Sequence, residues 1–446
     1  MNHMARNPDH ADMAKMVEDH IGPENILRGP SGVWLFDGLI WRQADDQSLK
    51  RVILEVLGAN LNKVMANSVT STLSVLKAQC YDPDLKFDLG DPNMVVLKDG
   101  YYTYGDGHWT KVPANSALHR RTQIPHTYTD ERPVLFDAFL RSIFTDACGR
   151  PVADTDALIK LVWEMLGYCI AIHARWEKCF FLIGPGANGK SVLGNIARRL
   201  VGVKNVAAVQ PNQMGNVFQR SHLEGKLLNL VTELNQNEEV DDGILKALVS
   251  GEMMTVERKH ADPREIVPFA THIFLTNHMP RLRDYTDGIY RRVTVLPLMR
   301  QFLGSDADPD LTHKLESEMD AIASRAMDAL GTLIDKKGQF TDCNTVEAAK
   351  AEWRRENDQV KQFVEECLYR KAGQDTSLEN IYLAYQTWLS ASGGRGALKK
   401  DTLSKRLAAL GIDRKRHAQG IVFIGVAIQM TAPPSDDEVS VGSVGF

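Results

Sequence analysis

Gly184-Pro185-Gly186-Ala187-Asn188-Gly189-Lys190-Ser191 places a lysine and a hydroxyl directly behind a glycine-rich run, and it fits the pattern G-x-x-x-x-G-K-[ST] at every fixed position. Each residue type has a physical task. Glycines let backbone N–H groups turn inward around phosphate oxygens, and the N-terminus of a following helix adds partial positive charge. Lys190 can reach the β- and γ-phosphates, and the Ser191 hydroxyl can face Mg²⁺. The flanks agree with this reading. Phe180 to Ile183 is an apolar strand, and from Val192 the apolar residues Leu193, Ile196, Ala197 and Leu200 repeat with a helical period. A chance glycine turn is the bland alternative, and the strand before and helix after argue against it. These residues predict a nucleoside-triphosphate site with Mg²⁺ beside the phosphates.

Further along lie groups such a site needs. Leu228 to Thr232 reads as a buried strand ending at Glu233. A carboxylate there can help hold Mg²⁺ and orient the attacking water. Thr232 stands where a first acid would be usual, so the metal leans on Ser191, Glu233 and water. Ile273 to Thr276 is another buried strand, ending in Asn277; an amide there can sense the γ-phosphate, although Asn is also an ordinary turn residue. Arg291-Arg292 precede the strand Val293 to Val295. Neighbours on a strand point to opposite faces, so one of the two is expected to reach a phosphate site and the other to form an ion pair. Gly251 to Pro268 reads as a hairpin with Arg258, Lys259 and His260 at its tip. That tip suits DNA phosphates, against the plain alternative of an exposed charged turn.

The 446 residues, 43% apolar and 24% charged, indicate a soluble globular chain of about two to four domains. The apolar runs fall short of the ~18 residues of a membrane span, and the polar start resembles neither a signal nor a transit peptide. Six scattered cysteines without a C-x-x-C pair read as reduced thiols of a cytoplasmic protein. Net charge is −5, but between Lys399 and Arg416 seven cations (Lys399, Lys400, Lys405, Arg406, Arg414, Lys415, Arg416) face Asp401 and Asp413. DNA contact is therefore expected to be local.

Residues 1–145 carry mixed signals: a hairpin turning at Asp37-Gly38, a helical stretch from Ser48 to about Cys80, and a second hairpin around Lys98-Asp99-Gly100. The aromatics of the second hairpin read as core rather than base-stacking groups. Asp154 to Arg175 is an amphipathic helix. Strands and helices then alternate, as in a parallel sheet covered by helices, and Asp310 to Lys336 closes that region as one helix. Beyond about 338–344, helices at Thr345–Leu368, Leu378–Leu389 and Thr402–Leu410 precede a basic turn and the strand Gly420–Ile424, a winged-helix candidate. Residues 431–446 read as a tail that cannot bury a core.

The ordered set Gly184 to Ser191, Glu233, Arg258-Lys259-His260, Thr276-Asn277 and Arg291-Arg292 resembles the superfamily 3 helicases. The runs Thr276 to Pro280 and Asp287 to Arg292 most resemble the phage/plasmid and poxvirus-type primase–helicase branch. The resemblance implies an α/β AAA+ P-loop ATPase core (146–340), an α+β pre-helicase domain (1–145) and a C-terminal winged helix (345–430). It further implies a homohexameric ring on single-stranded or forked DNA, with ATP between subunits. Residues 184–192 would cradle the nucleotide, and Lys246 would reach across the interface. Arg292, matching the family's finger better than Arg291, would come from the neighbouring subunit, while Lys259 and His260 would line the pore. Without a primase signature in the chain, a separate primase or polymerase is expected, in the cytoplasm of a bacterial host. Two other readings stay open: an ATP-switched initiator or loader that does not unwind, and a small-molecule kinase.

Overall fold

The computed structural model describes residues 8–60, 64–146, 148–234, 239–259, 262–282, 287–392, 397–417 and 420–429. The chain divides into two compact units, Met1–Ala349 and Lys350–Phe446. The tail at 431–446 and His260 lie outside the described residues.

The first unit opens with α1 (His10–Ile21), capped by the Asp9 carboxylate on the backbone N–H groups of Ala11 and Asp12. An antiparallel sheet follows, of β1 (Ile26–Gly29), β2 (Gly32–Phe36) and β3 (Trp41–Ala44). Its second turn is the one expected at Asp37-Gly38, where Asp37 Oδ1 accepts from the N–H groups of Leu39 and Ile40 at 2.9 and 2.8 Å. The single helix expected from Ser48 to Cys80 is two, α2 (Asp46–Asn60) and α3 (Ala66–Gln79). Both bury their apolar faces against α1, with Ala14, Val17, Ile53, Leu57, Leu73 and Leu76 in one core. One straight helix would have carried its second half away from that core.

Next come the strands β4 (Met94–Leu97), β5 (Gly100–Gly105) and β6 (His108–Val112) and the helices α4 (Val134–Ile143) and α5 (Thr155–Cys169). The aromatics of the meander pack as core groups. Tyr101 and Tyr102 are buried, and the Trp109 indole N–H donates to Met327 O at 2.9 Å.

The centre of the unit is a five-stranded parallel sheet. In chain order its region contains β7 (Cys179–Ile183), α6 (Lys190–Val201), β8 (Val206–Ala207), α7 (Val217–Arg220), β9 (Leu228–Val231), β10 (Glu239–Val240) and α8 (Asp242–Val249). Then come β11 (Met254–Val256), β12 (Arg264–Ile266), β13 (Thr271–Thr276), β14 (Arg281–Leu282), α9 (Asp287–Tyr290) and β15 (Val293–Pro297). The sheet order is β15-β7-β13-β9-β8, with every pairing parallel. Unbroken runs such as Phe180-Phe181-Leu182 and Ile273-Phe274-Leu275 suit strands buried on both faces. The helix expected from Asp310 to Lys336 is α10 (Leu311–Glu316) and α11 (Met319–Asp335). The chain breaks at Glu318, whose carboxylate accepts from the N–H groups of Leu135 and Phe136 at 2.9 Å each, satisfying the open first turn of α4.

The helix expected from Thr345 to Leu368 is likewise two, α12 (Asn344–Asn357) and α13 (Gln359–Cys367), parted at Asp358, which caps α13 through Lys361 N at 3.1 Å. The second unit continues with β16 (Leu368–Arg370), β17 (Thr376–Ser377), α14 (Leu378–Ala391), α15 (Lys400–Ala409), β18 (Arg414–His417), β19 (Gly420–Phe423) and β20 (Val426–Ile428). The basic turn expected before the last hairpin is instead the strand β18, paired with β19 in the antiparallel order β17-β19-β18. Phe363, Ile381, Tyr385, Leu403, Leu407 and Phe423 form the core. Among the described residues no helix is long and apolar enough to cross a membrane.

One core group ties folding to pH. His272 on β13 is fully buried. Its Nδ1 lies 3.2 Å from the Asn229 amide nitrogen, which can only donate, so the ring proton sits on Nε2, and no partner faces that atom. Burial pushes the imidazole down to about 4. The unfolded chain thus binds an extra proton between roughly pH 6.5 and 4, and stability falls as pH falls through that window. His272→Phe is expected to flatten this acid slope by a few kcal/mol, on the order of 3, in denaturant titrations repeated across pH.

Candidate functional site

The glycine loop joins the C-terminal end of β7 to the N-terminus of α6. Its conformation depends on left-handed backbone at Gly184 (φ 152°), Ala187 (φ 58°) and Gly189 (φ 85°). Gly184 has a second reason to be glycine, because a Cβ there would lie 2.0 Å from Leu298 O. The segment after β15 latches the loop from outside: Asn188 Nδ2 donates to Leu298 O at 2.7 Å, Phe302 N to Ala187 O at 2.7 Å, and Gln301 Nε2 to Gly186 O at 3.0 Å. Sequence reasoning missed this latch, since nothing in the types of Leu298, Gln301 and Phe302 announces it.

Lys190 is only 7% exposed. Its ammonium lies 2.6 Å from Gly184 O, 2.9 Å from Pro185 O, 3.1 Å from Asn188 Oδ1 and 3.1 Å from Asn277 Oδ1. All four partners are neutral oxygens, and burial holds its pKa below the ordinary lysine value. A buried cation supported by dipoles alone keeps its charge available to an anion that enters the cavity. It lines a cavity of ≈ 580 Å³ with Ser191, Val192, Thr232, Glu233 and Asn277. Strand order explains the gathering. β13 lies between β7 and β9, so Asn277, ending β13, and Glu233, beyond β9, emerge beside the loop. Ser191 and Glu233 are exposed to the cavity. A hydroxyl and one carboxylate suit Mg²⁺ only with phosphate oxygens and water completing its shell.

The two arginines sit elsewhere. β15 pairs with β7 in the register Val293↔Cys179 to Pro297↔Ile183, so Arg291 and Arg292 adjoin the end of the sheet opposite the loop, about 16 Å of strand away. The Arg292 side chain is 11% exposed and lies 2.8 Å from Glu177 Oε2. It also donates to Ser250 Oγ at 3.1 and 3.0 Å and to Gly288 O at 2.7 Å. The Arg291 side chain is 67% exposed and reaches Glu177 only at 3.6 Å. Of the two, Arg292 is the one held in an ion-pair network. Lys246, on α8 one turn before Ser250, pairs with Asp242 at 3.5 Å.

The expected hairpin is β11–β12, antiparallel from Met254↔Ile266 to Val256↔Arg264. Lys259 is exposed at its end, whereas Arg258 pairs with Glu224 at 3.2 Å. In the second unit the basic cluster divides. Lys400 pairs with Glu379, Arg406 with Asp358 at 2.5 Å, and Arg414 donates to Ser404 Oγ at 2.9 Å. Lys399, Lys405, Lys415 and Arg416 are exposed.

Fold and site together define a parallel α/β protein with a glycine-rich loop at the carboxyl ends of its strands. A model described as a family of unknown function, DUF5906, matches residues 182–292, and one described as Poxvirus D5 protein-like matches 355–417. The chain is similar to three proteins named putative helicases. These are 022R of Frog virus 3 (isolate Goorha), 22% identical over 49% of this chain and 25% of that protein; L207/L206 of Acanthamoeba polyphaga mimivirus, 21% over 58% and 27%; and 121R of Invertebrate iridescent virus 3, 23% over 72% and 38%. The chain thus spans between a quarter and two-fifths of the length of these relatives. The fold is similar to the apo structure of the NrS-1 C-terminal region, at 12% identity and a TM-score of 0.51, over 95% of this chain and 100% of that one.

The arginine pair yields a separation of effects. Arg292→Ala removes the donor to Ser250 Oγ and Gly288 O and the nearer cation of Glu177, and is expected to cost about 1–3 kcal/mol, read as a lower thermal midpoint. Arg291→Ala should melt as the wild type does.

Proposed function

We propose that this chain is an ATP-dependent DNA helicase of superfamily 3, of the phage/plasmid and poxvirus-type primase–helicase kind. It would work as a ring of six copies assembled around DNA. The observation that carries the reading is the division of charge across the sheet. A buried ammonium, a hydroxyl, a carboxylate and an amide line one cavity at the carboxyl ends of the strands, while Arg291 and Arg292 adjoin the other end and Lys246 lies one helical turn from Ser250, a partner of Arg292. Within one chain the two sets are kept apart; between adjacent copies in a ring they would meet. The helicase names of the viral relatives and the Poxvirus D5 protein-like match support the same reading.

In this reading Lys190 neutralises charge on the transferring phosphoryl group, Asn277 orients it, and Glu233 accepts a hydrogen bond from the attacking water. Mg²⁺, held by Ser191 with Glu233 close by, would supply charge stabilisation on the phosphate oxygens. Arg292, anchored by Ser250 and Glu177, would face the neighbouring subunit's nucleotide, with Arg291 exposed beside it. Lys259, with His260, would follow one DNA strand through the ring. The second unit would serve as a winged helix, with the exposed Lys399, Lys405, Lys415 and Arg416 available for DNA backbone. The setting is replication of a phage, prophage or plasmid in a bacterial cytoplasm, alongside a separate primase or polymerase. The viral relatives support a mobile genome as the context.

An initiator or loader that uses ATP as an assembly switch is the second reading, favoured by the exposed cations of the second unit. ATP hydrolysis is expected to rise with single-stranded DNA and to drop about a hundred-fold or more in Lys190→Ala. Displacement of a strand from a forked duplex then separates the readings: ATPase and binding without displacement would leave the loader, and turnover indifferent to DNA would remove both.

A further inference from the structure

Beside the stem of the β11–β12 hairpin lies a groove of ≈ 310 Å³, lined by Arg28, Tyr81, Arg258, Asp262 and Arg264. From its geometry we infer a second nucleic-acid subsite, in which Tyr81 stacks on a base of single-stranded DNA while Arg28, Arg258 and Arg264 hold its phosphates. The inference rests on the DNA reading above and adds the surface of the first unit that a strand crosses near the hairpin.

Tyr81 is built for a platform. Its backbone bridges to Arg28 in parallel register, fixed by Arg28 N to Cys80 O at 2.9 Å and Asp82 N to Arg28 O at 2.7 Å. The Arg28 guanidinium lies over the ring, 5.0 Å from its centroid, and is itself anchored on Lys77 O at 2.8 Å. Tyr81 nevertheless stays 47% exposed, whereas Tyr101 and Tyr102 of the same unit are buried. A fixed, half-exposed aromatic with a guanidinium beside it offers base stacking that tolerates any sequence.

The charge around it is in excess. Glu224 serves Arg121 at 3.6 Å, Arg258 at 3.2 Å and also Arg264, while Asp88 takes Arg121 at 3.0 Å. Even with Asp262 on the groove wall, these carboxylates offer fewer acceptors than the guanidinium groups of Arg28, Arg121, Arg258 and Arg264 have donors. Nearby Lys226 is held below the ordinary lysine pKa by burial and then by Arg121 and Arg258, which reports the same positive field. In a chain of net charge −5, such a concentration of cations favours a polyanion.

The test is fluorescence anisotropy of the full chain with a labelled oligo-thymidine and with an abasic oligonucleotide of equal length. Tyr81→Ala is expected to weaken oligo-thymidine binding about five-fold or more and to leave abasic binding unchanged, while Tyr81→Phe binds as the wild type. Unchanged oligo-thymidine affinity in Tyr81→Ala, or an equal loss on the abasic strand, overturns stacking at Tyr81 and leaves the helicase reading standing. A wild-type chain that binds neither strand overturns both. If the alanine variant melts early, photo-crosslinking of the wild type to an iododeoxyuridine strand decides: an adduct on the Tyr81 peptide supports the subsite, and its absence there removes it.

Discussion

A single buried ammonium sets the terms for the rest of the first unit. Lys190 is surrounded by carbonyl and amide oxygens, and a cation kept from water in this way needs each dipole in place. Gly184 and Gly189 provide backbone that other residues adopt only with strain. Asn188 accepts from Lys190 on one side and donates to Leu298 O on the other, so loop and strand exit are fixed together. Asn277 arrives only because β13 lies next to β7. The setting of the Lys190 ammonium is therefore a property of the whole sheet.

The same sheet keeps two chemistries apart. Its carboxyl end gathers Lys190, Ser191, Glu233 and Asn277, as parallel sheets commonly do with ligands. Its amino end holds Arg292 among Glu177, Ser250 and Gly288. Those contacts orient the guanidinium and leave Arg291 as the more exposed neighbour. Rigid strands make this separation a fixed distance.

A comparable economy operates around Glu224. One carboxylate ties Arg121, from the segment after the second hairpin, to Arg258 and Arg264 of the β11–β12 stem. The stem is thereby braced against the N-terminal part of the unit, while Lys259 stays exposed. In the second unit, Arg406 on Asp358 and Lys400 on Glu379 show the same division between structural and exposed cations.

Much of this was legible in the residues alone. The glycine loop, the buried strands around it, the hairpins at Asp37-Gly38 and Lys98-Asp99-Gly100, and the β11–β12 ribbon all follow from local pattern, because turn chemistry and hydrophobic period act over a few residues. Helix breaks did not. Glu318 and Asp358 interrupt helical patterns where they meet partners across the fold, the open N–H groups of Leu135 and Phe136 for Glu318 and Arg406 for Asp358. Nor could adjacent arginines be told apart: Arg291 and Arg292 are one residue type in one context, and only the placement of Glu177 and Ser250 buries one of them. The sequence by itself determined which groups were available for phosphate chemistry, since their types and local spacing are covalent facts. The tertiary structure alone decided which of them meet, because strand order and long-range ion pairs join residues roughly a hundred positions apart, such as Lys190 to Asn277 and Asn188 to Leu298.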